Sequence, residues 1–309
     1  MDGWRETKPN RERAPGTIRL DAVRLMSPYI ELTKPRITVF ILMSTAVGFL
    51  CGIRGASHWT LITLLHTIVG TALIASGTAA LNQWYEREAD AKMNRTKARP
   101  IPSGRVSVRQ ALCFGGFLSV AGFVELSLGA NLLTGLLGLF TMVSYLLVYT
   151  PLKQRSPHST TIGAIPGAMP PLIGFAAAAG TLTAGAWILY AILFLWQFPH
   201  FYAIAWMYKE DYARAGIRML PVVEPDGKST AHRILLYSIA LIPISLMPKF
   251  FAMAGNVYLY GALALGLAFL YYGLRIRWDR TRQQARRVLL ASVVYLPVLF
   301  SLMLIDRPV

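Results

Sequence analysis

The sequence predicts an all-α membrane protein with about nine transmembrane helices. Of its 309 residues, 54% are apolar and only 15% are charged, and the mean hydropathy is +0.45. Soluble domains carry about 25% charged residues. The apolar residues also cluster in nearly uncharged runs of about 18 or more, the length that crosses roughly 30 Å of hydrocarbon. A soluble helical core rarely contains such runs, so a soluble fold is excluded.

The positive charge lies almost entirely on one side of the predicted spans. The net charge is +16 and the pI is about 10.1. In a soluble protein this excess would suggest a nucleic-acid partner, but here 28 of the 31 lysines and arginines fall in the N-terminal segment and alternate loops. The positive-inside rule explains that pattern without nucleic acid. It predicts a cytoplasmic N-terminus, and the odd number of spans places the C-terminus on the other side. Acidic residues near the N-terminus argue against a transit peptide, so we interpret the chain as a bacterial inner-membrane protein with a periplasmic C-terminus.

The chain divides into a tail and one membrane domain. The first 35 residues are basic and rich in Pro and Gly, and we expect residues 1–27 to form a flexible cytoplasmic tail without a cleavable signal. Residues 28–309 form the membrane domain. In chain order, the predicted spans are 36–53, 61–82, 110–128, 131–150, 160–179, 184–206, 232–252, 255–275 and 287–305.

The first long loop, 83–109, begins with polar residues at regular spacing. Asn82, Glu86 and Asp90 are spaced i, i+4 and i+8, so they share one face if the second span continues as a helix beyond the membrane. Their carboxylate and amide oxygens are hard ligands suited to Mg²⁺. Arg95 and Arg99 follow. Acidic ligands followed by cations are what a magnesium diphosphate requires. The alternative for each residue is an anchoring or snorkelling group at a helix end.

The second long loop, 207–233, follows the sixth span. Asp211 is a candidate partner for Asp90, because carboxylates from two helices can hold metal ions around one diphosphate. Tyr208 and Tyr212 flank it and are candidate substrate contacts. The sixth span itself carries Gln197, Pro199 and His200 at its centre. Polar residues at that depth are functional candidates, with an interhelical hydrogen bond as the alternative.

A shorter loop, 151–159, contributes two further cations. Lys153 and Arg155 are candidate phosphate contacts, although ordinary positive-inside residues would look the same. The cations of the N-terminal tail, counted through Arg36, and of loop 275–287 are interpreted as topology anchors. The active-site mouth is therefore expected on the cytoplasmic side, beside loops 83–109, 151–159 and 207–233.

Five short motifs occur in these loops and the adjoining helices. They are Met-x-Arg-Thr-x-x-Arg-Pro at Met93–Pro100, Tyr-Thr-Pro-Leu-Lys at Tyr149–Lys153, Gly-Ala-x-Pro-Pro at Gly167–Pro171, Trp-Gln-x-Pro-His-Phe at Trp196–Phe201 and Asp-Tyr-x-x-Ala-Gly-x-x-Met-Leu-Pro at Asp211–Pro221. Together with Asn82, Glu86 and Asp90, they resemble the intramembrane prenyltransferase superfamily, and within it the protoheme IX farnesyltransferase branch. The resemblance covers roughly residues 28–305.

The resemblance implies a fold and a reaction. The fold is a ring of nine transmembrane helices around a central cavity, capped by the two acidic loops. The reaction joins farnesyl diphosphate to a vinyl group of heme B, adds water and releases diphosphate, giving heme O. Farnesyl diphosphate, heme B and the lipid bilayer are the implied partners. Whether a downstream heme A synthase also binds is left open.

The site residues follow from combining the resemblance with physical reasoning. Mg²⁺ would be held by Asn82, Glu86, Asp90 and Asp211, with Arg95, Arg99 and Lys153 neutralising the leaving diphosphate. His200 is a candidate to face the heme iron, and the alternative is a hydrogen-bonded helix histidine. Because heme is a substrate, no permanent axial ligand is required.

The sequence leaves two alternative hypotheses for the function of the chain. A sister enzyme that prenylates an aromatic acid or a chlorophyllide predicts the same metal site with a different acceptor pocket. A transporter or a non-catalytic heme-binding module predicts no dependence on Mg²⁺ and charges that line a continuous path.

Overall fold

The computed structural model describes residues 27–53 and 60–308, and within these ranges it is helical with no β-strand. The predicted tail 1–27 lies outside the described residues except for its last position. Nine described helices are long and apolar enough to cross a membrane, which confirms the predicted number. They are α1 Pro35–Gly52, α2 Leu61–Tyr85, α4 Val108–Gly129, α5 Leu132–Arg155, α6 Ser159–Ala179, α7 Ala184–Met207, α10 Lys228–Phe250, α11 Asn256–Trp278 and α12 Arg282–Ile305.

Three short helices lie in the two long loops. They are α3 Arg87–Lys92, α8 Lys209–Arg214 and α9 Leu220–Val223. Each spanning helix extends beyond its predicted apolar segment at one end at least, although a few stop one or two residues short at the other end. The largest extensions are five residues, at the end of α5 and at the start of α12, which begins at residue 282 instead of 287. There the Thr281 side chain accepts a hydrogen bond from the backbone amide of Gln284. Hydropathy marks the apolar part of a helix, whereas the cap sets where the helix begins.

Two of the spanning helices are irregular. In α5, residues Ser144–Tyr149 form a π-helical turn immediately before Pro151. In α6, the helix is interrupted between Gly167 and Pro170. The Gln197 side chain of α7 donates to the carbonyl oxygen of Ala164 at 3.2 Å, just before that interruption. Gln197 therefore forms the interhelical hydrogen bond that the sequence left open as its alternative role.

The nine spanning helices form a ring. Each contacts the next in chain order, and α12 returns to α1, which also packs along α6. Small residues allow the α1–α6 contact, since a Cβ at Gly174 would overlap the carbonyl oxygen of Thr45. Small residues at such positions let the helix backbones of membrane proteins approach closely. The ring brings the ends of α2, α5 and α7 together, which positions the candidate site.

The outer surface of the ring is apolar. Leu128 is 82% exposed, Phe117 is 72% exposed and Leu147 is 71% exposed. A soluble protein rarely exposes so many large apolar side chains in contiguous patches. With the nine spans, this surface identifies a multi-pass membrane protein.

Candidate active site

The loop face is the end of the ring that carries residues 86–107 and 208–227. Here α2 ends at Tyr85, Glu86 occupies a turn, and α3 continues the chain. The backbone amide of Glu86 donates to the carbonyl of Asn82 at 2.9 Å, and that of Asp90 donates to the carbonyl of Glu86 at 2.8 Å. The spacing of four residues therefore persists through the turn. Asn82, Glu86 and Asp90 are all buried, with Asp90 0% exposed.

Each of these three side chains contacts a cation. Glu86 pairs with Lys153 from the end of α5 at 3.0 Å. Asp90 pairs with Arg99 at 2.6 Å through its Oδ2. Burying a carboxylate is unfavourable unless it is paired and hydrogen-bonded, so these cations explain how two acids remain buried here.

Asn82 connects the same cluster to two further helices. Its Oδ1 accepts from the Lys34 ammonium at 3.0 Å, just before α1 begins. Its Nδ2 donates to the Thr150 hydroxyl at 3.3 Å, just after the π-helical turn of α5. The side chain of Asn82 therefore bridges α1, α2 and α5.

Asp211 joins the second loop to the first. Its carboxylate oxygens accept from the backbone amides of Asn94 and Arg95, each at 3.3 Å, and it also pairs with Arg214. Arg95 lies over the ring of Tyr208 at 4.6 Å and donates to the Tyr212 hydroxyl at 3.2 Å. These contacts bring together four residues that the sequence singled out in separate loops.

The second loop is also fastened to α5. The backbone amide of Arg218 donates to the carbonyl oxygen of Lys153 at 3.2 Å. The lysine that pairs with Glu86 is thereby joined through its backbone to the segment that follows α8. One connected set of contacts thus links the ends of α2, α5 and α7.

Two candidate residues lie apart from this cluster. Arg155 is solvent-exposed at the end of α5 and takes no part in the contacts described above. His200 lies within α7, where its Nδ1 hydrogen-bonds the Ser292 hydroxyl at 2.8 Å and its ring stacks on Trp196. Its contact is the hydrogen bond that the sequence left open as the alternative. The assignments of both residues as substrate contacts stay predictions.

Burial and neighbouring charges shift the pKa values of Glu86 and Lys34 on the loop face. Burial alone would raise the pKa of the Glu86 carboxyl, but the adjacent cations, chiefly Lys153, lower it below its usual value. Burial, reinforced by the positive charge of Arg99, lowers the pKa of Lys34 from 10.5 to about 7. The site therefore keeps Glu86 ionised and makes a further positive charge unfavourable.

Residues 41–297 match the UbiA prenyltransferase family. The matched range includes most of the ring and every site residue except Lys34. The chain belongs to this family. A protein from Solibacter usitatus described as protoheme IX farnesyltransferase is 64% identical over 290 residues, covering 92% of this chain and 99% of its own length. One from Koribacter versatilis with the same description is 46% identical, covering 92% of this chain and 94% of its own length. The resemblance to this branch is confirmed.

Solved structures of UbiA homologues share the fold. One from Aeropyrum pernix K1 has a TM-score of 0.71 at 18% identity, covering 88% of this chain and 98% of its own. One from Archaeoglobus fulgidus, described as bound to GPP and Mg²⁺, has a TM-score of 0.64 at 16% identity, covering 89% of this chain and 99% of its own. The predicted all-α ring is therefore confirmed as the UbiA fold.

One feature of the cluster in this UbiA member is consistent with a bound metal ion. Asp90 Oδ1 is buried and has no hydrogen-bond partner among the residues that the structure describes. A buried carboxylate oxygen without a donor is unfavourable unless a cation or water satisfies it. Within the same ranges, no three His, Cys, Asp or Glu residues lie close enough together to hold a metal. Each candidate acid is instead paired with a basic side chain, so the metal site stays a prediction.

Two residues of the cluster were missed by sequence reasoning. Lys34 was interpreted as a topology anchor, yet its ammonium contacts Asn82, 48 positions away. Its backbone has φ 50°, in the left-handed region, immediately before a proline. Thr150 lies within the Tyr-Thr-Pro-Leu-Lys motif, but only Lys153 of that motif was considered as a contact. A positive φ leaves no mark in the sequence of a lysine, so no local signal could have identified Lys34.

Proposed function

We propose that this chain transfers the farnesyl group of farnesyl diphosphate to a vinyl group of heme B, with addition of water, giving heme O and diphosphate. The observation that carries the proposal is the buried cluster of acids, amide and cations on the loop face, in a chain 64% identical to a protein described as protoheme IX farnesyltransferase. The cluster suits an anionic leaving group, and the apolar ring suits two poorly water-soluble substrates.

Asn82, Glu86, Asp90 and Asp211 are the residues that would hold Mg²⁺. Their oxygens are of the type that Mg²⁺ prefers, and the unpartnered Oδ1 of Asp90 supports the assignment. The A. fulgidus homologue described as bound to GPP and Mg²⁺ supports it by analogy. When bound, the ion would neutralise part of the negative charge on the leaving diphosphate.

Basic side chains would neutralise the rest of the negative charge on the leaving diphosphate. Arg99 and Lys153 already lie within 3.0 Å of the acids and would bind phosphate oxygens when the acids turn to the metal. Arg95 is held by Tyr208 and Tyr212, so its guanidinium is oriented before the substrate arrives. Preorganised donors of this kind stabilise charge that develops in a transition state.

The reaction balances without any further reactant. The bond between C1 of farnesyl and the diphosphate oxygen breaks, and C1 bonds to the terminal carbon of the vinyl group. One water adds to the adjacent carbon and loses a proton, so the new group carries a hydroxyl. Bulk water would destroy the farnesyl cation, and the apolar interior of the ring would keep bulk water away from the cation.

We also propose that the loop face is cytoplasmic and that the membrane is the bacterial inner membrane. The support is the charge distribution, with 28 of the 31 lysines and arginines in the segments that the sequence predicts to lie on that side. Reporter fusions after residues 107 and 180 would test the orientation. A cytoplasmic signal at the second position, together with a periplasmic one at the first, would overturn it.

One assay tests the reaction. Purified protein in lipid nanodiscs would be supplied with heme B, farnesyl diphosphate and Mg²⁺, and the product identified by mass. Heme O is expected, with no product when Mg²⁺ is chelated. Parallel reactions with an aromatic acid and a chlorophyllide test the sister activities. A prenylated product from either of them, with none from heme B, would reassign the acceptor, and no product from any would overturn the proposal.

A further inference from the structure

A cavity of about 400 Å³ opens on the loop face beside the start of α1. Its lining combines cationic and apolar groups, among them Lys34, Arg36, Ile37, Gln83 and Arg99. Two interactions hold its walls in place. Gln83 donates to the backbone carbonyl of Leu32 at 2.9 Å, and Glu31, an acid in the lining, pairs with Arg105 at 2.8 Å.

Two basic side chains that line this cavity, Lys34 and Arg36, form no ion pair with an acid among the described residues. Arg99 is paired with Asp90, whereas the Lys34 ammonium donates to the neutral amide of Asn82. Arg36 is exposed and belongs to no ion pair found within residues 27–53 and 60–308. With Glu31 already paired, the cavity offers two basic side chains to an incoming anion, whose negative charge would favour the charged form of Lys34.

The backbone at Lys34 indicates that this arrangement is specifically held. Its φ of 50° places a non-glycine residue in the left-handed region, directly before Pro35. Such conformations persist only where the surroundings impose them, and they concentrate at ligand-binding positions. Here the conformation accompanies an ammonium that reaches inward to Asn82 instead of outward to solvent.

We propose that this cavity binds the carboxylates of the porphyrin acceptor, with Lys34 and Arg36 as their partners. This inference rests on the proposed function. Heme B carries two propionates on one edge and its vinyl groups on the opposite side, attached to a flat apolar ring. Two basic side chains outside any ion pair match the two carboxylates, and Ile37, which is 58% exposed, offers an apolar contact for the ring.

Binding of the propionates at Lys34 and Arg36 would also set the position of the porphyrin relative to the donor diphosphate. Lys34 contacts Asn82, which also lies in the cluster proposed to hold the donor diphosphate. Propionates held at Lys34 and Arg36 would turn the vinyl edge of the porphyrin away from the cavity and into the ring. The two substrates would then be positioned by neighbouring but different basic side chains, Lys34 and Arg36 for the acceptor and Arg95, Arg99 and Lys153 for the donor.

The test compares the free acid of iron protoporphyrin IX with its dimethyl ester, in which both carboxylates are neutral. Binding of each is titrated by absorbance to protein in nanodiscs. The wild-type protein is expected to bind the free acid about tenfold more tightly. Lys34→Gln and Arg36→Gln should each remove most of this preference and raise the KM for heme B, and Arg36→Gln should leave the KM for farnesyl diphosphate unchanged. Arg109→Gln, an exposed arginine on the same face, is the matched control.

Each other outcome contradicts a defined part of the inference. Equal loss of affinity for acid and ester would mean that the carboxylates are not the group bound. A raised KM for farnesyl diphosphate alone would assign the cavity to the donor's diphosphate. If heme O forms but the protein binds the free acid and the dimethyl ester equally well, the proposed propionate site is wrong and the proposed reaction still stands. Absence of both porphyrin binding and heme O formation in the wild-type protein would overturn the reaction as well.

Discussion

The carboxylate of Asp211 accepts a hydrogen bond from the backbone amide of Arg95 at 3.3 Å, across 116 positions of sequence. It accepts a second from the amide of Asn94 at the same distance. One acid from the loop after α7 thus fixes the backbone of the loop after α2. The sequence predicts that Asp211 is also a metal ligand. Experiments must therefore separate its role in holding the first loop from its role in binding Mg²⁺.

Asp211→Asn should slow turnover and loosen the first loop. Asparagine has one acceptor oxygen where aspartate has two, and it lacks the charge that a metal ligand needs. We expect kcat to fall by about tenfold or more. Hydrogen exchange at the amides of residues 94 and 95 should become faster. Asp226→Asn, an exposed acid of the same loop, should change neither property.

Asp90→Ala should abolish turnover while the protein remains folded in the membrane. The substitution removes a buried oxygen that is proposed to bind Mg²⁺ and leaves Arg99 without its partner. A decrease in kcat of about a hundredfold or more is expected. Glu88→Ala is the matched control, because Glu88 lies on the same short helix with its side chain 83% exposed. Near-normal activity of the Asp90 variant would remove this residue from the metal site.

The pair of Glu86 and Lys153 should contribute to stability as well as to catalysis. Their side chains are only 5% and 13% exposed. Lys153→Met leaves a buried carboxylate without its main partner, and breaking such a pair costs roughly 3–5 kcal/mol. Thermal unfolding in nanodiscs, followed by intrinsic fluorescence, should show a clearly lower Tm.

The double variant Glu86→Gln with Lys153→Met separates the two contributions. It removes both charges and should recover most of the lost Tm, because no charge of this pair remains buried. Turnover should stay low, since both side chains are proposed to act on the diphosphate. Glu88→Gln, which breaks an exposed pair with Arg87, should shift stability by no more than about 0.5 kcal/mol. Recovery of activity in the double variant would show that the pair is structural only.

Gly174→Ala should destabilise the ring by separating α1 from α6. The added Cβ would overlap the carbonyl oxygen of Thr45, and backbone atoms cannot move away as a flexible side chain can. Overpacking of this kind costs about 1–3 kcal/mol. Gly116→Ala is the control, because a Cβ there meets nothing within 4 Å. A Tm for Gly174→Ala equal to that of the control would mean that the two helices can move apart without cost.

The sequence alone predicted the membrane character, the nine spans and most of the residues that meet in the candidate site. Hydropathy is a local property of each segment, so the nine spans could be predicted without knowing how they pack. Spacing within one helix is local as well, which is why Asn82, Glu86 and Asp90 could be grouped in advance. The helix ends were predicted less accurately, because caps such as Thr281 extend helices beyond their apolar part.

Only the tertiary structure decided which side chains contact which. Lys153 pairs with Glu86 across 67 positions, and Lys34 reaches Asn82 across 48. Neither pairing has a local signal, because a lysine that anchors the chain at the membrane surface and one that enters the site look the same in sequence. The difference arises when the ring closes and brings the start of α1 and the ends of α2 and α5 together. Packing over long sequence separations therefore converts a one-sided distribution of charge into a defined cluster.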